Sequence, residues 1–244
     1  PWLTFEPMKR RIQFIKPSLV LITGMFCCLL FILGSSLIID LGYFFQPFFY
    51  LFFYFYYYTA LKRHNIVFAL FLITAYIGEV FLIIDVHKYF VEIIVMFILA
   101  AAAMLYTFLP ILKLKSRKIS KEMLVEPGIG LIFCVYTVIY LMTMYYELVP
   151  NKFLFISGAI LLLFFTMVCF LIPLRNRHPS NVYLYLIGGG LLVEAILAFV
   201  YTYSLSIPII AVGTKIAICV HKTCVTLYFV SIDDVYSDES REGY

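Results

Sequence analysis

Charged side chains are scarce in this sequence: only 13% of its 244 residues are Asp, Glu, Lys or Arg, while 64% are hydrophobic. An average soluble domain carries about twice that charged fraction, so a water-facing globular surface is excluded. Also missing are the segments of about ten residues, alternately polar and apolar, that a membrane β-barrel requires. The six cysteines, Cys27, Cys28, Cys134, Cys169, Cys219 and Cys224, all fall inside apolar runs and include no C-x-x-C pair. They behave as small hydrophobic residues, and neither a disulfide framework nor a metal site follows from them. No cofactor is expected. The formal charge of +4 is spread over short loops, where it reports membrane orientation, and nucleic acid is not an expected partner.

What fills the chain instead is a series of apolar runs, with a mean hydropathy of +1.01. Cuts at charges, prolines and polar clusters give eight of them, at 18–39, 42–61, 65–85, 89–112, 128–146, 153–174, 181–204 and 208–231. Each is close to the ~20 residues that cross a hydrocarbon core ~30 Å thick, and inside lipid an unbroken run satisfies its backbone as a helix. The expected fold is all-α, a polytopic membrane bundle of eight transmembrane helices in one domain over 8–232. Residues 1–7 precede Met8-Lys9-Arg10-Arg11 and are expected to be a cloning remnant. The first run is longer than a signal-peptide core and lacks a small-residue cleavage pattern, so it stays as a span. Residues 233–244 are acidic and are expected to form a solvated, flexible tail.

Basic residues alternate in the loops. Lys9, Arg10, Arg11, Lys16, Lys62, Arg63, the five in 113–121, Arg175, Arg177 and Arg241 share one side, which makes fourteen of eighteen. Lys88 and Lys152 face the other way, and Lys215 and Lys222 lie inside the last span. Positive charge marks the cytoplasmic side, so both termini are expected there, in a bacterial-type inner membrane given the short loops. The aromatic run at 44–58 is read as lipid packing with interfacial tyrosines in preference to a substrate-stacking surface. The basic loop at 113–121 fixes topology and can attract anionic headgroups.

Two carboxylates stand out against the apolar background. Glu79 lies inside the third span, and Glu194, 115 residues later, lies inside the seventh and repeats the pattern Glu-x-apolar-Leu. That recurrence is the main sign that the chain holds two parallel four-helix repeats. A carboxylate at membrane depth is disfavoured by several kcal/mol and persists where it faces a protein interior or a wet cavity and finds a partner. At ~1.5 Å per residue, both acids sit ~20 Å from the inner end of their helices, and Lys215 sits ~10 Å from the outer end of the last. The expected cluster is therefore Glu79, Glu194 and Lys215, with Lys222 two turns deeper on nearly the same face, His221 beside it and Glu92 entering near the outer surface. Gly78 and the triplet Gly188-Gly189-Gly190 allow the helices to approach closely. Two readings stay open: buried ion pairs that lock the bundle, or a polar pocket in which one acid donates a proton while the other steers water.

At these residues the chain resembles the YhhN family of small eight-span membrane proteins, which includes lysoplasmalogenases. The family's G-D-x-F-L motif is matched by Gly78-Glu79-Val80-Phe81-Leu82, with Glu for Asp, and Tyr89-Phe90 follows at a fitting distance. The family's second acid, in an S-D motif, corresponds to Val193-Glu194, again with Glu for Asp. The chain departs from the pattern where the family's fourth-span His falls in Ala100-Ala101-Ala102-Ala103, where Ile93 replaces a Gly, and where His221-Lys222-Thr223 replaces an Ala-Gln segment. The resemblance implies hydrolysis of the vinyl ether bond of a lysoplasmalogen to an aldehyde and a glycerophospho-alcohol. Glu79 and Glu194 would then serve as general acid and as base or charge stabiliser, with no metal needed and His221 or Lys222 in place of the missing His. The expected partner is a membrane lipid or lysolipid. A non-catalytic lipid-binding or structural subunit is the second reading, and a proton-coupled transporter, disfavoured by the lack of prolines in spans three and seven, is the third.

Overall fold

The computed structural model describes residues 16–37, 39–112, 125–176 and 178–241; the expected remnant at 1–7 and the basic loop at 113–121 lie outside them. Among the described residues eight α-helices follow one another: α1 (Pro17–Leu37), α2 (Ile39–Leu61), α3 (Ile66–Ile84), α4 (Phe90–Leu112), α5 (Val125–Tyr145), α6 (Lys152–Arg175), α7 (Val182–Tyr203) and α8 (Pro208–Arg241). A 3-10 turn, Pro179–Asn181, leads into α7. No strand occurs among the described residues. Seven of the helices are long and apolar enough to cross a bilayer, so the chain is a multi-pass helical membrane protein. The exception is α2, which at 23 residues is long enough but takes many of its aromatics as tyrosine, whose hydroxyls lower its hydropathy.

Local chemistry fixes the helix ends. Asn65 and Asn151 cap α3 and α6, each accepting a hydrogen bond from the backbone N–H three residues on, at 3.0 Å. Asp85 turns the chain from α3 to α4 by accepting from the N–H groups of His87 and Lys88 at 2.9 and 3.1 Å. Lys62 ends α2 in the left-handed region at φ 54°, a conformation that commonly closes a helix.

The helix ends coincide with the apolar runs to within three residues everywhere but at the last, where α8 runs ten residues beyond 231. The acidic segment expected as a flexible tail is helical as far as Arg241. Val225, Tyr228, Phe229, Ile232 and Val235 keep the spacing of a buried helical stripe across the apolar-to-acidic boundary, and none exceeds 5% exposure. Asp233 also pairs with Arg63 in the α2–α3 connection. The tail fails to detach because its inward face is still apolar.

The closest-packed pairs are the hairpins α1–α2, α3–α4 and α7–α8, and α8 also packs against α1 and α2. Half of α8's membrane window is enclosed, against 22–44% for the other six. It is the most enclosed of these helices, and it carries the polar residues described next. At its C-terminal half an aromatic layer closes the bundle: Phe68 lies 4.7 Å from Phe229, and Phe108 lies 5.3 Å from Tyr228 and 6.1 Å from Phe165, centroid to centroid. Apolar side chains such as Leu51, Ile66, Phe153 and Ile209 are exposed, as a lipid-facing surface requires.

Candidate functional site

Glycine brings the site's helices together. A Cβ at Gly78 would lie 3.1 Å from the Cβ of Met96, so the bare backbone of α3 sits against α4 one residue before Glu79. A Cβ at Gly188 would lie 2.9 Å from that of Cys169 on α6, and one at Gly190 would lie 3.3 Å from that of His221. The α7–α8 approach thus places His221 and Lys222 beside Glu194, one turn along from Gly190.

There Lys222 bridges both acids. Its Nζ lies 3.0 Å from Glu79 Oε1 and 3.5 Å from Glu194 Oε2. The other oxygen of Glu79 accepts a hydrogen bond from Gln46 Nε2 on α2 at 3.1 Å. Nδ1 of His221 is 3.2 Å from both Glu194 Oε2 and Lys222 Nζ. Protonated, that nitrogen donates to Glu194; unprotonated, it accepts from Lys222. The two arrangements differ by the position of one proton. Among the described residues, buried His221 Nε2 meets no hydrogen-bond partner. Gln46, Glu79, His221 and Lys222 are all buried, whereas the Glu194 side chain keeps 15% of its surface open.

At formal charges the cluster sets one ammonium against two carboxylates. A net charge at this depth is expensive, and one bound proton or one cationic ligand group removes it. The paired acids can hold a proton, pass it through His221 and stabilise a cation forming nearby. They are positioned for this because Glu79, Glu194, His221 and Lys222 line one wall of a cavity of about 150 Å³ enclosed by α3 to α8. The remaining wall is almost wholly apolar, from Phe71 and Ala75 on α3, Ala100 and Ala101 on α4, and Ala159 and Leu162 on α6. Thr74, the other polar residue in the lining, donates its hydroxyl to its own helix at Leu70 C=O, 2.8 Å away.

Glu79, Glu194, His221, Lys222 and Gly78 therefore come together as the sequence suggests. Lys215 does not join them: its Nζ lies over the rings of Phe31 and Tyr43, at 5.7 and 5.2 Å, facing α1 and α2. Lys222 takes the central place assigned to Lys215. Glu92 is exposed in the first turn of α4, away from the cluster. Gln46 was not foreseen, yet it carried a signal: it is the sole side-chain amide in the aromatic run at 44–58. The run is expected to face lipid, and one edge of it instead enters the core, with Gln46, Phe49 and Phe53 buried at 2%, 0% and 0%. No model of a known protein family matches the chain, and searches of curated proteins and of solved structures return no match either.

Proposed function

We propose that this protein hydrolyses a single-chain membrane lipid, with the vinyl ether of a lysoplasmalogen as the leading substrate class, at the carboxylate pair Glu79 and Glu194. The reading rests on the resemblance to the YhhN family, and the observation that carries it is the cavity itself. Its walls are suited to an alkyl chain, and its polar wall presents two acids, a lysine and a histidine to one point along that chain. In this reading α2 is an eighth span, the chain is built of two parallel four-helix halves, and both termini are cytoplasmic.

The chemistry balances with these residues and water. Glu194, which is open to the cavity and adjoins His221, delivers a proton to the outer carbon of the enol ether, leaving an oxocarbenium ion at the carbon next to oxygen. Glu79, fixed by Lys222 and Gln46, stabilises that cation electrostatically in a dry site. Water adds to the cation with loss of a proton to Glu194, and the hemiacetal collapses to a free aldehyde and the glycerophospho-alcohol. Acid and base are one group used twice.

Turnover of vinyl ether and ester lysolipids by the wild type, Glu79→Gln and Glu194→Gln, with folding followed in parallel, tests the proposal. The wild type is expected to release aldehyde, and each variant to lose on the order of 10²-fold or more. Equal rates in all three would make the acids structural. A second reading, a lipid-binding protein without catalysis, is favoured by Lys222 pairing with both acids; lysolipid binding with no turnover in any of the three would select it.

A further inference from the structure

The cavity is not symmetric about its polar wall. On α3, Phe71, Ala75, Gly78 and Leu82 face it together with Glu79, a one-sided stripe at helical spacing. Leu82 is three residues from Glu79 toward the α3–α4 turn, whereas Phe71 is eight residues away on the other side, roughly 12 Å by helix rise.

The two ends also differ in what lies beyond them. Past Leu82 a second cavity of about 40 Å³ shares Leu82, Ile93, Ile94, Ala198 and Phe199 with the first and continues to Val86 and Tyr203. Leu82, Val86, Ile93 and Tyr203 are only partly buried. The opposite end is closed by Phe71, Met104 and Phe165, at 2%, 1% and 1% exposure. Behind them stands the aromatic layer, in which Phe108 is fully buried and stacks 6.1 Å from Phe165. One end leads out and the other is blind.

Between the acids and the blind end the room comes from small side chains. Ala75 on α3 and Ala100 and Ala101 on α4 line it there, each between the level of Glu79 and that of Phe71 or Met104 along its helix. With the Thr74 hydroxyl turned to its own backbone, that compartment offers no free polar group to an occupant. On the volume scale of apolar cavities, about 150 Å³ accepts something near a six-carbon hydrocarbon group.

Resting on the reading that this site takes a single-chain amphiphile, we propose that the compartment between Glu79 and Phe71, Met104 and Phe165 is a blind gauge of chain length. An unbranched saturated chain enters methyl end first from the α3–α4 turn side, and Met104 at the floor and Ala101 on the wall set the length that places the reacting group at the acids. A shorter chain leaves apolar wall uncovered. A longer one reaches the aromatic layer before its polar part reaches Glu194.

Displacement of a fluorescent lysolipid from purified full-length protein in nanodiscs, by saturated lysolipids of about six to about sixteen carbons, tests this. Affinity should rise by up to about fourfold per methylene, reach an optimum and then stop rising or fall. Met104→Ala should move the optimum to longer chains and Ala101→Phe to shorter ones, and opposite shifts cannot come from a general loss of folding. An optimum that neither variant moves, or affinity that climbs through the whole series, overturns the gauge while leaving the amphiphile site standing. Failure of the wild type to bind any member would remove the proposed function and the gauge with it.

Discussion

Lys215 and Lys222 lie on one helix, two turns apart and on nearly the same face, yet their surroundings are opposite in kind. Lys222 is sealed among two carboxylates, a histidine and an aromatic face, with 3% of its side chain exposed. Lys215 is half-buried between two rings. Distance from the helix end ranked them the wrong way round, because it located Cα atoms and ignored the lean of side chains. Helical side chains point toward their own N-terminus, and α8 runs antiparallel to α3 and α7. Lys222 therefore leans toward the Pro208 end while Glu79 and Glu194 lean the other way, and the three heads meet. The same lean carries Lys215 past the acids, to Phe31 and Tyr43.

The largest effect should come from removing the buried member of the pair. Lys222→Met leaves two carboxylates facing each other with Gln46, His221 and the buried Tyr50 hydroxyl as their remaining polar neighbours, and loss of one partner from a buried ionic cluster costs about 3–5 kcal/mol. Unfolding in detergent, followed by intrinsic fluorescence, should show that loss. Adding Glu79→Gln and Glu194→Gln to Lys222→Met should recover much of it, since the stranded charges are then gone. If the triple variant is no better than the single one, Lys222 acts through packing and the ionic account fails.

This contrast also marks how far the sequence could be read. The helices were legible because apolar runs near twenty residues have one solution in lipid, and Glu79 and Glu194 because an acid in such a run needs a partner. What escaped was which neighbours each face meets. Gln46 sits among aromatics that resemble a lipid-facing stripe, and only the fold shows that one edge of α2 packs on α8. The cavity escaped for a related reason: Ala75, Ala100, Ala101 and Ala159 are ordinary helix-packing residues in sequence, and only the fold shows that they line one shared space.

Gln46→Leu sharpens the same comparison at an intermediate scale. It deprives Glu79 Oε2 of its amide donor and leaves the Lys222 contact in place. A hydrogen bond to a charged acceptor contributes about 1.5–3 kcal/mol, so the loss should be smaller than for Lys222→Met and larger than for any change at Lys215. Combined with Glu79→Leu, Gln46→Leu should cost little further. A full additional penalty in the double variant would mean that Gln46 supports α2 and not the acid.

Lys215→Met should have the smallest effect, and its sign is set by two opposed quantities. The ammonium gains about 0.5–1 kcal/mol from a ring face at a partly exposed site. Against this stands the cost of keeping a charge near the hydrocarbon, which a lysine of this length lowers by reaching outward along its own lean. Methionine keeps the unbranched stem over Phe31 and Tyr43 and exchanges the cation for a sulfur that also packs well on rings. The two contributions nearly cancel, and the unfolding midpoint should shift by the equivalent of about 1 kcal/mol or less. A loss as large as that of Lys222→Met would mean that Lys215 is held by charge and not by rings, and the division of α8 into an ionic turn and an aromatic one would have to be withdrawn.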